Sequence, residues 1–197
     1  MKVAKKDAIQ AWWFSEGTTL PHGDGREVKI GVVHKVTGRI VACRNGLHGS
    51  ENPLDALKYA PGAIVWRTRH WGTVRREDDK LCSTFREYVA GGVDASATLR
   101  AFARWCALQV YTELAEYDKD GIIKRWLETG DESIRSAAES AAWLAAWSTA
   151  RLAAGSAAEL AAELAAGSAS WLAARSAAES AQGKKLVELL EAIVADK

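Results

Sequence analysis

The segment AIVWRTRHWGTVRREDDKLCSTFREYVAGG, residues 63–92, carries the strand pattern that indicates the fold class. In Ala63–His70 and Thr73–Arg75, β-branched and aromatic residues recur with the alternation of half-buried strands. Trp71-Gly72 lies between these two runs and predicts the turn of a β-hairpin. The segment therefore predicts an antiparallel pair of short strands.

The same segment also predicts where the first domain ends. Leu81–Val89 reads as a final strand or as the start of a helix, and the alternation alone leaves both open. Gly91-Gly92 follows directly and is typical of a linker. We therefore predict a head domain over residues 1–92.

Further strand and helix signals lie on the N-terminal side of this segment. Ile9–Phe14 predicts a first strand, and Val28–Val36 with Arg39–Cys43 predicts a hairpin around Thr37-Gly38. Pro53–Tyr59 predicts a short helix. The head domain is therefore expected to be a small mixed β-sheet domain, and the fold class to be α+β.

On the C-terminal side the apolar period changes to that of a helix. From Asp94 onward, apolar residues recur at intervals of three and four, as on one face of an amphipathic helix. A short helix is predicted through Trp126-Leu127 to Gly130, with Asp131 capping the next. These signals predict a helical domain over residues 93–197.

Residues 135–182 form a tandem four-residue repeat rich in alanine, which has the highest helix propensity. A period of four rotates each unit by about 40° on a helix of 3.6 residues per turn, so a straight helix has no apolar stripe. Gly155-Ser156 and Gly167-Ser168 resemble a helix end followed by a new helix start. We predict a helical bundle or stack, and the alternative is one long exposed helix.

Composition excludes several classes of protein. The 26 Lys and Arg nearly balance the 25 Asp and Glu, which is unlike a polyanion-binding domain. The three cysteines form no Cys-x-x-Cys pair, so we expect neither a structural metal site nor a disulfide framework. A polar N-terminus and the absence of a long apolar run predict no signal peptide and no membrane partner. A cytoplasmic protein is expected.

Two glycine-rich loops carry the candidate ligand-binding residues. One contains His22, Asp24 and Arg26, and the other contains His48 and Ser50 just before the predicted helix. Loops rich in glycine and polar side chains commonly form small-ligand sites. Tyr59 near the end of that helix completes the set, in which His22, His48, Ser50 and Tyr59 are also the catalytic candidates. The alternative is structural, with Ser50 serving as a helix cap.

The predicted hairpin is also basic and aromatic. The residues concerned are Arg67, Arg69, Trp71, Arg75 and Arg76. Arginine neutralises phosphate and aromatic rings stack on bases, so this set is a candidate nucleic-acid surface. The neighbouring acidic residues favour a solvated strand face instead.

The stretches Ala11–Phe14, Cys43–Ser50, Asp55–Gly62 and Asp79–Leu81 resemble a family of uncharacterised phage and prophage proteins. Members of that family pair such an N-terminal domain with an Ala-rich repetitive tail. The resemblance covers most of the chain and implies a phage setting without an established activity.

His22-Gly23, Gly46–Ser50 and Tyr59-Ala60 are also similar in order to motifs of ADP-ribosyltransferase-like folds. This resemblance implies a split β-sheet with a cleft and NAD as the cofactor. Such enzymes need a glutamate on a late strand, and here Glu77 or Glu87 would have to supply it.

From these observations we expect a non-enzymatic phage accessory protein. Its head domain would bind a host or phage protein or a small ligand without a cofactor, and its helical tail would mediate packing or self-association into a homo-oligomer. The alternatives are an ADP-ribosyltransferase-like enzyme that uses NAD or a nucleotide-binding domain, and nucleic-acid binding through the Arg67–Arg76 hairpin.

Overall fold

The computed structural model describes residues 1–21, 24–42, 44–109, 111–113, 115, 118–142 and 178–195. The chain divides into two units. The first contains Met1–Thr98 and Gln182–Lys197, and the second contains Leu99–Ala181.

The first unit is built on a six-stranded antiparallel sheet. Its strands are β1 (Lys2–Val3), β2 (Ile9–Ser15), β3 (Val33–Lys35), β4 (Leu47–Gly49), β5 (Ile64–Arg76) and β6 (Leu81–Asp94). The β5–β6 pair is central: β5 also pairs with β1 and β2, while β6 also pairs with β3 and β4. The α+β class is thus confirmed, although each strand pairing is antiparallel where a mixed sheet was predicted.

The predicted turn at Trp71-Gly72 is wrong, because β5 runs through it as one strand. Trp71 pairs with Phe85 and Val74 pairs with Ser83, so β5 carries one extra residue there as a β-bulge. The chain reverses only after Arg76, in a turn closed by a bond from the Glu77 N–H to the Lys80 carbonyl.

The predicted linker at Gly91-Gly92 is also wrong, because both residues lie within β6. Trp66 pairs with Gly91 while Val65 pairs with Val93, which leaves Gly92 as the extra residue of a second bulge. Gly91 has a φ of +113°, and a Cβ at this position would collide with the Val65 carbonyl oxygen. Glycine is required here by strand pairing and not by flexibility.

The remaining elements of this unit agree with the sequence in part. The first strand is confirmed, and α1 (Pro53–Leu57) is a helix capped by the Asn52 side chain, which accepts from the Leu54 N–H. The predicted Val28–Val36 and Arg39–Cys43 hairpin is wrong. Its first half forms only β3, which pairs with β6, and the described part of its second half contains no strand.

Two apolar clusters hold the first unit together. The larger contains Tyr88 and Trp66 with Leu20, Val28 and Leu47, and the smaller contains Ala11, Val74 and Leu81. Both Trp13 and Trp66 meet the Tyr88 ring edge-on, at centroid distances of 5.7 Å and 5.4 Å. Aromatic pairs in this geometry add stabilisation beyond the area that they bury.

Residues 178–195 form a helix, and from Gln182 onward the chain belongs to the first unit. Leu186 and Leu190 are fully buried, and Glu191 lies 4.0 Å from Arg67 of β5. The grouping by contacts therefore differs from a division into residues 1–92 and 93–197, because an apolar helix face joins the sheet-bearing unit across a long sequence gap.

The second unit contains most of α2 (Ser96–Gln109) and all of α3 (Ile122–Thr129). Asp118 is buried and accepts hydrogen bonds from the Ile123 and Lys124 N–H groups at the start of α3. The predicted cap at Asp131 is present, since its side chain accepts from the Ser133 N–H.

Most of the alanine-rich repeat, residues 143–177, lies outside the described residues. The prediction of a bundle or stack, with one long helix as the alternative, concerns mainly these residues. The adjoining residues 135–142 and 178–182 are helical. Within the described ranges, the structure has no helix whose length and apolarity would let it cross a bilayer.

Candidate ligand-binding cleft

The first unit contains a cleft of about 680 Å³. Its lining comes from separate stretches of the chain: β2, the loop around Asp24, the segment that ends in β4, the end of α1, Lys80, and Arg86 of β6. Apolar and aromatic side chains form most of this lining, and few charged groups reach it. A cleft of this size and character is typical of small-molecule sites.

Three consecutive aromatic residues of β2, Trp12, Trp13 and Phe14, line the cleft. Trp12 and Phe14 are buried, whereas Trp13 keeps part of its ring accessible. The Arg86 guanidinium lies 4.0 Å from the centroid of the Trp13 ring, and that of Arg67 lies 4.5 Å from Trp12. These cation–π contacts hold the aromatic wall in place.

Arg86 is the most deeply buried cation of the lining, at 3 % exposure. Its Nε and Nη2 atoms donate to the Tyr88 hydroxyl at 3.0 and 2.6 Å, and Nη1 donates to the His48 carbonyl at 2.8 Å. No carboxylate in the described part of the chain forms an ion pair with it. Burial lowers the pKa of Arg86, but arginine at neutral pH stays protonated, so a charge is held here.

The Tyr88 hydroxyl continues this contact into a chain of hydrogen bonds. Nε2 of His34 lies 2.9 Å from the Glu27 carbonyl, which can only accept, so this nitrogen carries the proton. Nδ1 of the neutral ring must then accept, and the Tyr88 hydroxyl donates to it at 3.0 Å. Burial, followed by the charges of Arg26 and Arg86, lowers the pKa of His34 and keeps the ring neutral.

His48 lines the cleft from β4, on the segment that binds Arg86 through its backbone. Burial, followed by the charges of Arg86 and Lys80, lowers the pKa of His48. The imidazole is therefore neutral at pH 7.

Asp24 is the only carboxylate among the described lining residues, and Arg26 already binds it with two contacts. Nε and Nη2 of Arg26 donate to Oδ1 and Oδ2 of Asp24 at 2.6 and 2.7 Å, and these bonds lower the pKa of Asp24. Arg26 is not part of the lining itself. This pair therefore contributes little net charge to the cleft.

Ser50 and Tyr59 line the cleft in different ways. Ser50 is buried and its backbone exchanges two hydrogen bonds with Trp12, whereas the helix cap is Asn52. Tyr59 is 51 % exposed, and its hydroxyl donates to Asp79 and accepts from Lys80. Ser50 is thus a backbone anchor, and Tyr59 forms the open rim.

The structure brings four of the candidate residues, Asp24, His48, Ser50 and Tyr59, to one cleft. Arg26 reaches it only through Asp24, and His22 lies outside the described residues. Sequence reasoning missed Arg86 and Trp13, since nothing in a strand pattern distinguishes a buried arginine from an exposed one.

The two glutamates implied by the ADP-ribosyltransferase resemblance are not part of the described lining. Glu87 follows Arg86 on β6, so it lies on the opposite sheet face, where it forms an ion pair with Arg69 at 2.7 Å. Glu77 lies in the β5–β6 turn and pairs with Lys80 at 3.3 Å.

The basic residues of the predicted hairpin lie along the single strand β5. Arg67 is paired with Glu191, Arg69 with Glu87, and Arg76 with Glu51 at 3.2 Å, while Arg75 is exposed. The Trp71 ring is 8 % exposed and stacks on Phe85, with Lys5 over it. This ring is therefore occupied by protein contacts and not presented to a base.

The described side chains include no group of three or more His, Cys, Asp or Glu that could hold a metal ion. Of the cysteines, Cys82 is buried and Cys106 is half-buried, both as free thiols.

Comparison with known proteins adds one match. No curated protein and no solved structure matches the chain. The matching family is described only as a domain of unknown function (DUF7666), and the match covers less than half of the chain. It includes β3 to β6 and so the cleft residues His48 and Arg86, but not the aromatic wall on β2. Residues 25–101, from before β3 into the start of α2, are thus similar to a domain of unknown function, DUF7666.

Proposed function

We propose that the first unit is a small-molecule-binding module and that the cleft between β2, β4 and β6 is its binding site. The observation that carries this proposal is the convergence of separate chain stretches on one aromatic-lined cleft of about 680 Å³. Ligand sites typically combine such apolar walls with a small number of polar groups that orient the ligand.

The polar groups of the cleft support binding because they are held rigidly. Arg86 is fixed by Tyr88 and by the His48 carbonyl, and Asp24 is fixed by Arg26. Groups that are already oriented lose little conformational entropy when a ligand binds. The open rim at Tyr59 gives a ligand access.

Removing the Tyr59 ring tests this proposal, because its exposure makes the loss inexpensive for folding. The full chain is screened against a library of small aromatic and heteroaromatic compounds by chemical-shift perturbation, with NAD included. We expect hits that shift cleft amides and whose affinity falls about fivefold in Tyr59→Ala, since an aromatic contact contributes about 1 kcal/mol.

Ile30→Ala is the matched control, because Ile30 is similarly exposed and lies outside the cleft. Its hits and affinities should equal those of the wild type. The proposal would be refuted if no compound of the library shifts a cleft amide, or if the affinities of the hits are the same in Tyr59→Ala as in the wild type.

Transfer of ADP-ribose from NAD is the alternative, enzymatic function. The observation in its favour is that His48, Ser50 and Tyr59 line one cleft. It would require Glu77 or Glu87 to reach the cleft, yet each is engaged elsewhere by a cation. Binding without catalysis needs no such rearrangement and is preferred.

The phage or prophage setting and the role of the repeat are proposals that rest on sequence alone. We propose that residues 135–182 mediate packing or self-association, because a repeat with alanine at two positions in four allows close helix contact. Light scattering on a size-exclusion column tests it. An oligomer that becomes monomeric when residues 143–177 are replaced by a flexible linker is expected, and a monomer throughout would contradict it.

A further inference from the structure

We propose that the ligand of this cleft is an aromatic or heteroaromatic anion whose negative group binds the Arg86 guanidinium. This inference rests on the proposed binding function and narrows it to one chemical class.

The charge of Arg86 has no opposite charge bound to it in the described residues. Taking a guanidinium out of water is costly unless an anion or a full set of acceptors compensates for it. Tyr88 and His48 supply neutral acceptors only, and the nearby Asp24 is already bound by Arg26. A site of this kind is complementary to an anion that comes from solution.

Arg86 also has hydrogen-bonding capacity left. A guanidinium carries five N–H groups. Three are used in the bonds to Tyr88 and His48, which leaves two without an acceptor in the described part of the structure. Two N–H groups can bind both oxygens of a carboxylate or phosphate, the arrangement in which arginine binds anions most strongly.

The surrounding charges favour the same sign of ligand. In the described lining Lys80 is paired with Glu77 and Asp24 with Arg26, which leaves the positive charges of Arg44 and Arg86. The pKa of His48 is lowered, so its neutral ring adds no charge. The cleft therefore carries a net positive field within low-dielectric walls, which concentrates anions.

The shape of the cleft selects for more than a simple ion. A volume of about 680 Å³ greatly exceeds that of an isolated phosphate or acetate ion. An exposed charged surface could bind such a small hydrated ion equally well. The half-buried Trp13 ring lies 4.0 Å from the Arg86 guanidinium, so a ligand ring packed against this wall would place its anionic substituent near the guanidinium. Aryl carboxylates and nucleoside phosphates share this chemistry.

Matched probes separate the anionic group from the ring. The pairs are indole-3-acetate with indole-3-acetamide and adenosine 5′-monophosphate with adenosine, and sodium acetate and inorganic phosphate serve as ions without a ring. Binding to the full chain is measured by calorimetry and by shifts of cleft amides. We expect the anion of at least one pair to bind about tenfold or more tightly than its neutral partner, and the pair that responds distinguishes carboxylate from phosphate.

Two variants assign that preference to Arg86. Arg86→Gln should reduce the ratio within the pair to near one, and Arg86→Lys should keep part of it because the charge remains. Arg76→Gln removes an exposed arginine outside the cleft and should leave the ratio unchanged. Thermal unfolding and the amide spectrum show which variants are folded.

The outcomes separate this inference from the proposed function. Neutral library compounds that shift cleft amides as strongly as their acids, or a ratio that survives in folded Arg86→Gln, overturn the anion assignment and leave the binding cleft standing. A cleft that responds to no compound overturns both. If Arg86→Gln does not fold, the wild-type ratios and their decrease between 50 and 300 mM salt decide, since a neutral ligand shows no such decrease.

Discussion

Arg86 and Tyr88 lie two residues apart on β6, so their side chains share one face of the sheet. That spacing lets one phenol oxygen accept two guanidinium N–H groups while its own proton goes to His34. The position of Arg86 in the cleft thus depends on a hydroxyl that never reaches the cleft lining.

Replacing Tyr88 with phenylalanine removes that hydroxyl and keeps the ring. Two N–H groups of Arg86 and the acceptor of His34 would lose their partner, so we expect a loss of about 2 kcal/mol in unfolding free energy. Urea unfolding checks the value. A variant as stable as the wild type would mean that water replaces the hydroxyl.

The buried histidines make stability depend on pH. Burial, followed by the charge of Arg86, holds the pKa of His70 well below its usual value. The His70 ring lies 2.8 Å from the Ser83 hydroxyl and 3.0 Å from that of Thr68. The pKa of His34 is also lowered.

Below about pH 6.5 the unfolded chain therefore binds protons that the folded chain does not. The contribution of these histidines to the free energy of unfolding is fully present above that pH. It decreases as the pH falls towards the pKa values of the folded state. Hydrogen exchange of β5 and β6 amides from pH 8 to pH 5, corrected for intrinsic rates, should show this decrease. A smaller decrease is expected in His70→Gln, and an equal slope would point to other groups.

At the scale of elements, the β5–β6 pair is long, and its register shifts at three points. Gly91 belongs to one bulge, with a positive φ and the Val65 carbonyl against its α-carbon. We expect Gly91→Ala to cost about 3 kcal/mol, from backbone strain and displacement of β5. The urea unfolding midpoint measures this cost.

Gly17→Ala is the matched control for that substitution, because a Cβ at Gly17 would meet no atom within 4 Å. Its midpoint should stay within experimental error of the wild type. Equal effects of the two substitutions would show that β6 does not need glycine at this bulge.

Local pattern predicted the elements that depend on local interactions. The alternation over Ile9–Phe14, the proline that begins α1 and the glycine that ends α3 each specify structure through a few neighbouring residues. Gly72 and Gly91 could not be assigned in this way, because their role is set by residues paired with them across the sheet. The glycine signal for a turn and for a bulge is the same.

The candidate site was predictable to a similar extent. Glycine-rich loops led to Asp24, His48 and Ser50, which meet at the cleft. Arg86 has no sequence signature, since its burial depends on the Trp13 and Tyr88 rings, which lie against it only in the assembled sheet.

At the scale of the whole molecule, the helix over residues 178–195 provides a stabilising contact for the first unit. Leu190 is fully buried in it, so Leu190→Ala should cost about 3 kcal/mol through lost apolar burial and the cavity left behind. Hydrogen exchange in β5 would then become faster. Exposed Glu191→Ala should change little, because partly exposed ion pairs contribute weakly. Unchanged β5 exchange in Leu190→Ala would mean that the helix does not support the sheet.

The return of the chain at Gln182 has a consequence for the order of events during synthesis. The ribosome releases all six strands first, yet the helix that completes their unit is made only after the whole of Leu99–Ala181. The nascent sheet is therefore made before the apolar helix face of Leu186 and Leu190 that its unit contains, and chaperone binding is favoured for that interval. The same arrangement makes the second unit an insertion, so shortening it should bring the closing helix forward in time.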